Sequence, residues 1–411
     1  MSGKFLWGVA TSAFQLDGSP SADWTSWDPA LGEKPGLTGH REVYRQDLRL
    51  LKELGVNAYR FSIEWSRIEP EEGRWDEGAL AFYGELVEIL RSYQIEPMLT
   101  LNHFTHPLWF AEKYPWHHEG STEKFLRFAG KVLSVIKGVR YWITFNEPYV
   151  LVLGGYFEGC MPPGLRDPSR GFRALTNILV CHSGLYRMIH DRVPGAMVSL
   201  AHNMAAIAPW HPWNPLDRLL SRLGTRFYNR SLIEVFMTGI LSMKLPFSKE
   251  LKTEVPVKGK LDFLGVNYYT RTHLRFNPLK NFFVELRHKD VHGYGLTDLG
   301  WEVHPDGLHK VLKYASRLGV PIIITENGIA TKDDEKKKQF IKMHMDALRG
   351  CIDGGIGVRG YFYWSFMDNY EWLQGFDSRF GLYRVDFDTM ERKPTSAVEF
   401  YAALIRKSSS F

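Results

Sequence analysis

Two glutamates in the chain follow apolar stretches closely enough to raise a question of chemistry. Glu147 closes the segment 143–146 and Glu326 closes the segment 322–325. Each one alone could cap a helix or pair with an arginine, and that structural interpretation stays open. Two carboxyl groups facing each other across one cleft would suit acetal hydrolysis, because one carboxylic acid can protonate the leaving oxygen while an ionised carboxylate attacks the anomeric carbon.

Elements that could hold two such groups in place follow from the hydrophobic pattern. Short apolar stretches rich in β-forming residues alternate with longer segments of helical period. The predicted strands are 5–12, 58–65, 96–103, 141–148, 197–204, 261–269, 321–327 and 358–366, and the main predicted helices are 41–54, 77–93, 122–137, 172–192, 305–318 and 336–351. The long connections 203–226 and 271–298 exceed normal loop lengths, which predicts extra small elements there.

Eight strand–helix units with continuous apolar strands are typical of a parallel sheet that closes on itself. The fold class expected is therefore α/β, with a single (β/α)8 TIM barrel over residues 1–411 and an active site at the C-terminal ends of the strands. A doubly wound open sheet is the alternative, but no glycine-rich phosphate loop follows an early strand.

Composition narrows the classes of function. The chain has 411 residues, 44% of them hydrophobic and 24% charged, with a formal net charge of +5. Basic residues are interspersed with acidic ones, which argues against a nucleic-acid partner. The densest basic run, 336–338, follows the acidic residues 333–335 and is interpreted as a solvated helix start.

Targeting and redox features are sparse. Neither a signal peptide nor an apolar stretch of about 18 residues is apparent, so we expect a cytoplasmic protein without a membrane partner. The three cysteines, Cys160, Cys181 and Cys351, lie far apart without metal-ligand spacing and are predicted to be buried free thiols. Neither a metal nor another cofactor is expected, and the sequence leaves the oligomeric state open.

Polar and aromatic residues stand at the predicted strand ends, where a barrel would bring them together. Besides the two glutamates they are Gln15, Arg60, His103, Asn146, Asn267, Tyr269, Trp364, Glu371 and Trp372. Two of them could instead have a purely structural role, because His103 could be a core histidine and Trp364 could simply pack in the core. The absence of a lysine at a strand end near this cluster argues against Schiff-base chemistry.

Several long motifs resemble those of glycoside hydrolase family 1, the family of β-glucosidases and β-galactosidases. They are TFNEP at 144–148, ITENG at 324–328, FLWGVATS at 5–12, YRFSI at 59–63, GVNYY at 265–269, GWE at 300–302 and WSFMDNYEW at 364–372. The motifs occur along nearly the whole chain and in the same order as in the family. The resemblance therefore implies a retaining β-glycosidase that acts through a covalent glycosyl-enzyme.

The resemblance also implies a role for each residue. Glu147 would be the acid/base and Glu326 the nucleophile, supported by Arg60, Asn146 and Tyr269. The remaining positions would bind the sugar: Gln15, His103, Asn267, Trp301, Trp364, Glu371 and Trp372.

Substrates implied are small neutral β-glycosides or short oligosaccharides, with glucose, galactose and fucose accepted to some degree. Departures from the family pattern are Asp17, where a glutamate is usual, and Phe104, where a tryptophan is common. The short chain predicts trimmed loops on the leaving-group side. A catalytically impaired sugar-binding protein and a predominantly transglycosylating enzyme remain as alternatives.

Overall fold

A computed structural model describes residues 4–28, 31, 37–244 and 249–407 of the chain. Eight parallel strands close into a barrel, and each strand lies between its two neighbours in sequence. They are β1 (Leu6–Ala10), β2 (Ala58–Ser62), β3 (Glu96–Asn102), β4 (Tyr141–Asn146), β5 (Met197–Asn203), β6 (Leu264–Asn267), β7 (Ile322–Asn327) and β8 (Val358–Trp364). The predicted fold class is confirmed, and closure excludes the open sheet.

Each barrel strand lies within one predicted segment, although the observed strands are shorter. The predicted strand 261–269, for example, narrows to β6. Side chains that point inward from the barrel strands, such as Met98, Ile143 and Phe362, pack in one apolar cluster. A larger cluster fills the space between the barrel and its helices. Strands that are buried on both faces explain why the sequence shows continuous apolar stretches instead of alternation.

Helices surround the barrel, and the six main predicted helices are present with small shifts at their ends. The α-helices are Ala13–Asp17, Asp23–Trp27, His40–Leu54, Trp65–Ile68, Glu77–Ser92, Leu108–Lys113, Ser121–Val135, Pro148–Val152, Pro168–Arg192, Pro215–Gly224, Ser231–Thr238, Asp306–Ala315, Asp334–Asp353 and Ser396–Lys407. Asp76, Asp167 and Asp333 accept backbone N–H bonds at three of the helix starts. Short acidic caps of this kind satisfy donors that the first turn leaves free.

Extra elements occupy the two long connections, as predicted. Strands Ala206–Pro209, Arg271–Phe276 and Val284–Arg287 form a separate three-stranded sheet. The structure also describes the π-helical turns Leu153–Glu158 and Thr225–Arg230 and the 3-10 turns Asn281–Phe283, Ser316–Leu318 and Trp372–Gln374. Two-stranded sheets pair Ile240–Met243 with Leu251–Glu254 and Tyr383–Val385 with Arg392–Pro394.

Two expectations about which side chains are buried, one for the basic run and one for the cysteines, are wrong in part. Lys337, in the basic run, is buried, and its Nζ donates to the carbonyl of Gly381 and weakly to that of Arg379. A one-dimensional charge pattern does not reveal which lysine faces the loop after β8. Cys181 and Cys351 are buried free thiols, but Cys160 is only half-buried. Over the described ranges, no helix is long and apolar enough to span a bilayer.

Candidate active site

One cavity of about 710 Å³ opens at the C-terminal ends of the barrel strands. Glu147 and Glu326 both line it, from the ends of β4 and β7, which have β5 and β6 between them in the barrel. The residues of the predicted site that line the same cavity are His103, Asn146, Tyr269, Trp301, Trp364, Glu371 and Trp372. Closure of the barrel therefore brings together side chains that are up to about 270 positions apart in sequence.

Glu326 lies near the end of β7 and is almost fully buried. Arg60 Nη1 donates to its Oε1 at 2.5 Å, and the Tyr269 hydroxyl donates to its Oε2 at 2.5 Å. Burial raises the pKa of Glu326, whereas the guanidinium and the phenol oppose that rise. Both oxygens thus have donors that favour the ionised form.

Glu147 follows β4 directly and starts the helix Pro148–Val152 with a left-handed backbone, φ 46°. A left-handed backbone conformation costs a residue other than glycine on the order of 1 kcal/mol, so the surrounding structure must impose this conformation on Glu147. The amides of Asn203 and Asn267 both donate to Oε1, at 2.8 and 2.7 Å. A proton on this carboxyl group therefore belongs on Oε2.

The electrostatic surroundings of Glu147 differ from those of Glu326. Burial, together with the charge of Glu326, raises the pKa of Glu147 to about 8, and the hydrogen bonds from Asn267 and Asn203 only partly oppose that rise. Within the part of the chain that the structure describes, no guanidinium contacts Glu147, whereas Arg60 contacts Glu326 directly. The surroundings thus favour a proton on Glu147 and the ionised form on Glu326.

Asn146 links the two sides of the site. Its Oδ1 accepts from Arg60 Nη2 at 2.7 Å and from Asn267 at 3.1 Å, and its Nδ2 lies 3.1 Å from His103 Nε2. Burial and the nearby Arg60 lower the pKa of His103 well below its ordinary value, so the ring is neutral. Because Nε2 accepts, the ring proton lies on Nδ1, which is buried and has no partner among the described residues.

The loop after β8 provides a third carboxyl group. Glu371 is half-buried and accepts from Gln15 Nε2 at 3.2 Å and from the Trp364 side chain. Burial and the charge of Glu326 raise its pKa to about 8. Trp364 and His103 stack with ring centroids 5.8 Å apart, and Trp372 stacks on Phe14 at 5.9 Å. The cavity therefore has an aromatic wall next to a carboxyl group.

Three predicted site residues lie behind the cavity wall. Gln15, Arg60 and Asn267 contact residues that line the cavity but do not line it themselves. The amide of Gln15 donates to Asn369 Oδ1, to the Tyr370 carbonyl and to Glu371, so its hydrogens are already engaged. The geometry makes Gln15 a support of the Glu371 loop, and direct contact with a sugar stays a prediction.

Trp301 lines the cavity from a separate loop and meets Tyr269 edge-on at 5.9 Å. The next residue, Glu302, forms a buried ion pair with Arg271, and Arg271 Nε donates to it at 2.7 Å. The pair ties the Trp301 loop to the small sheet. Phe104 also lines the cavity, and Asp17 is buried and accepts the Arg41 backbone N–H at 3.2 Å. Asp17 is therefore a structural carboxylate.

Sequence reasoning missed two residues that position Glu147. Asn203 is the last residue of β5, and the Tyr228 hydroxyl donates to Asn203 Oδ1 at 2.9 Å, which orients the Asn203 amide toward Glu147. The position of Asn203 at a strand end was a usable signal. Tyr228 lies on the π-helical turn Thr225–Arg230, and nothing in the sequence indicated its contact.

Comparison with known proteins agrees with this geometry. The family model described as glycosyl hydrolase family 1 matches residues 1–410. The chain belongs to glycosyl hydrolase family 1. This family 1 protein is thus a glycoside hydrolase, as its motifs predicted.

Relatives cover almost the whole length of this family 1 chain. Beta-glucosidase A of Thermotoga maritima is 31% identical over 98% of this chain and 97% of its own. A 6-phospho-beta-galactosidase of Streptococcus mutans is 30% identical over 97% of both chains. Overall identity alone therefore does not separate neutral from phosphorylated substrates.

Solved structures resemble the family 1 barrel closely. A beta-glycosidase from Pyrococcus horikoshii superimposes with a TM-score of 0.90 at 38% identity, covering 98% of this chain and 94% of that chain. A beta-glucosidase from Thermotoga maritima in complex with glucoimidazole has a TM-score of 0.89 at 28% identity, covering 99% of both. At least one such relative therefore binds a sugar-like molecule.

Proposed function

We propose that this family 1 enzyme is a retaining β-glycosidase that removes a non-reducing terminal, neutral β-D-hexosyl residue from small glycosides. The observation that carries the proposal is the asymmetry between two facing carboxyl groups. Glu326 is paired with a guanidinium and a phenol, whereas the donors to Glu147 among the described residues are two amides on a single oxygen. One group is suited to attack and the other to donate a proton.

In the first step, Glu326 attacks the anomeric carbon while the bond from that carbon to the leaving oxygen breaks. The proton on Glu147 Oε2 passes to the leaving oxygen, so the leaving group departs as a neutral alcohol. Arg60 and Tyr269 hold the attacking carboxylate in place. Asn146, fixed by Arg60, is placed to bind the sugar 2-hydroxyl, a contact that strengthens as positive charge develops on the ring.

In the second step, the ionised Glu147 removes a proton from water, and the resulting hydroxide attacks the anomeric carbon. The ester bond to Glu326 breaks and the sugar leaves with its original β-configuration. Two displacements at one carbon give retention, which requires the carboxyl groups to be about 5–5.5 Å apart.

The sugar pocket favours a neutral ring. Glu371 with a pKa of about 8 offers both a donor and an acceptor to the 4- and 6-hydroxyls, which suits glucose and galactose alike. Fucose has no 6-hydroxyl and would lose one of these contacts. The Trp364 ring, which lines the cavity and stacks on His103, supplies an aromatic face for the sugar.

A 6-phosphate is disfavoured by charge. Arg60, the guanidinium beside the ionised Glu326, is already engaged by Glu326 and Asn146, so it offers no free donor to a phosphate. An added charge of nearly −2 in this partly desolvated pocket would cost several kcal/mol. The cavity-lining lysines, Lys244 and Lys280, are exposed.

The decisive test of this proposal is covalent trapping. A 2-deoxy-2-fluoro β-glucoside with an activated leaving group should label Glu326, as identified by peptide mass spectrometry, and proton NMR should show a β-configured first product. Labelling of another residue, or an α-configured first product, would contradict the mechanism.

A panel of aryl β-glucoside, galactoside, fucoside, mannoside, glucuronide and 6-phosphoglucoside then defines the preferred sugar. If the 6-phosphoglucoside has the highest kcat/KM, the role given to Glu371 is wrong.

The two alternatives are separated by turnover and products. A catalytically impaired sugar-binding protein would bind glycosides without releasing sugar, whereas both predicted catalytic glutamates are present here. A transglycosylase would transfer most of the sugar to added alcohol even at low alcohol concentration. We also propose that residues 1–411 form one domain, an interpretation supported by the match over residues 1–410. A cytoplasmic location stays a prediction from the sequence.

A further inference from the structure

The cavity does not end at the sugar pocket. Beyond Glu147, the hydrogen-bonded series Glu147, Asn203 and Tyr228 leads to the π-helical turn Thr225–Arg230. Because Glu147 donates the proton to the leaving oxygen, the part of the cavity on this side receives the aglycone. The other side contains the Gln15, Glu371 and Trp372 group that is proposed to contact the sugar.

The residues that continue the cavity on this side are mainly aliphatic or aromatic. We refer to this region as the aglycone trough. It is defined by Leu153 and Phe157 from the turn after β4, Leu223 and Phe227 from helix Pro215–Gly224 and the turn after it, and Leu274 and Val284 from the small sheet. The long connections thus supply a wall that the barrel itself does not need.

Uncharged polar residues on this side of the cavity, Asn203, Tyr228, Thr270, Thr272 and His288, are outnumbered by apolar ones. Four of them already have partners: Asn203 donates to Glu147, Tyr228 donates to Asn203, Thr270 donates to backbone and His288 Nδ1 lies 2.9 Å from the Arg271 carbonyl. The charged residues that line the cavity in this region, Glu158, Lys244 and Lys280, are all exposed. The hydroxyl of Thr270 donates to backbone carbonyls at 2.9 and 3.1 Å. A sugar ring placed here would leave several hydroxyl groups without partners, a situation that disfavours binding.

The hairpin that forms one side of the trough carries apolar groups out to solvent. Leu286 lines the cavity and is 59% exposed, and Leu279 at the turn is 92% exposed. Single exposed leucines need no explanation, but Leu286 belongs to the cavity lining and continues its apolar surface out to solvent. A hydrocarbon chain longer than the trough would therefore extend past the exposed side chain of Leu286.

We propose that the aglycone trough binds an unbranched hydrocarbon chain, so that the preferred substrates are amphiphilic β-glycosides with long alkyl aglycones and not oligosaccharides. The inference rests on the function proposed above, since the trough is defined by its position relative to the proton donor. The sugar stays in the polar pocket between Glu326 and Glu371, and the chain lies along the trough. Each methylene that leaves water in the trough adds binding that the transition state retains.

The test is the dependence of kcat/KM on chain length. Ethyl, butyl, hexyl and octyl β-D-glucosides are compared with cellobiose and cellotriose, all below the micelle concentration. We expect kcat/KM to rise roughly two- to fourfold per methylene, and octyl glucoside to exceed both oligosaccharides. Equal values along the series, or a preference for cellobiose, would overturn the inference while hydrolysis of ethyl glucoside would still support the proposed function. Absence of hydrolysis for every glycoside would overturn both.

A matched pair of variants locates the effect. Leu223 lines the trough, whereas Leu219 lies on the same helix, does not line the cavity and is 44% exposed. Leu223→Asn should lower the octyl-to-ethyl ratio of kcat/KM by about fivefold or more, and Leu219→Asn should leave the ratio unchanged. Val284→Asn, on the small sheet, provides a second trough variant should Leu223→Asn fold poorly. An unchanged ratio in a folded trough variant would contradict the placement.

Discussion

At the scale of single residues, the two catalytic candidates differ in how their oxygens are used. Both amide donors reach Glu147 Oε1, which leaves Oε2 for the proton, whereas both oxygens of Glu326 accept from donors that favour ionisation. Glu147→Ala should therefore slow alkyl glycosides by at least about 10²-fold and activated aryl glycosides much less, since only poor leaving groups need a proton. Steady-state kinetics with both substrate types measure this, and equal losses would argue against the role. Azide should partly restore the activated reaction.

The pKa of about 8 for Glu147 predicts the alkaline side of the pH profile. The group must be protonated in the free enzyme, so kcat/KM should fall as pH rises through about 8. Asn203 lowers the pKa of Glu147 by donating to its ionised form. Asn203→Ala should move the alkaline limb upward by about one unit, because a hydrogen bond to a charged group contributes about 1.5 kcal/mol and one unit equals about 1.4 kcal/mol.

Tyr228→Phe is the graded control for that shift. The tyrosine orients the Asn203 amide without touching Glu147, so its removal should move the alkaline limb in the same direction by a smaller amount. The acid limb, which reports Glu326, should stay in place in both variants. A downward or absent shift in Asn203→Ala would show that the amide does not favour the ionised form.

At the scale of elements, the helix Asp334–Asp353 stabilises the loop that carries Glu371. Lys337 is buried on this helix, and its Nζ donates to the Gly381 carbonyl at the far end of that loop. Lys337→Ala should lower the free energy of unfolding by roughly 1–3 kcal/mol, because it leaves a buried acceptor unpaired. Urea denaturation measures the change. Lys342→Ala, an exposed site on the same helix, should change it by less than about 0.5 kcal/mol.

The elements also show what the sequence could and could not predict. All eight barrel strands were predictable, because burial on both faces produces continuous apolar stretches such as 322–324. Residues that follow strands, including Glu147 and His103, could be placed at one end of the barrel by topology alone. Tyr228 and Lys337 could not, since their partners are set by how a turn and a helix pack against distant loops. Gln15 was expected at the sugar, but its amide is bonded to the loop of Glu371.

At the scale of the whole molecule, the barrel and its additions have separate tasks. The closed sheet places Glu147 and Glu326 in one pocket, with Arg60 directly behind its wall, although the three come from β2, β4 and β7 or the residues beside them. The segments between β5 and β7 build the walls further out. A loop in that outer part can change without moving the carboxyl groups, so the choice of leaving group can vary while the chemistry stays the same.

The crowding of three carboxyl groups in one cavity also makes the fold sensitive to alkali. Glu147 and Glu371 have pKa values near 8, well above the ordinary value of 4.5, so the native state binds protons more tightly than the unfolded chain. Their contribution to stability is complete below about pH 4.5 and is lost as pH rises through about 8.

Glu371→Gln, which removes one such proton site, should raise the unfolding free energy at pH 9 and change it little at pH 5. Glu399→Gln, on an exposed helix face, should have little effect at either pH. Equal effects of Glu371→Gln at pH 5 and pH 9 would show that the cluster does not weaken the fold in alkali.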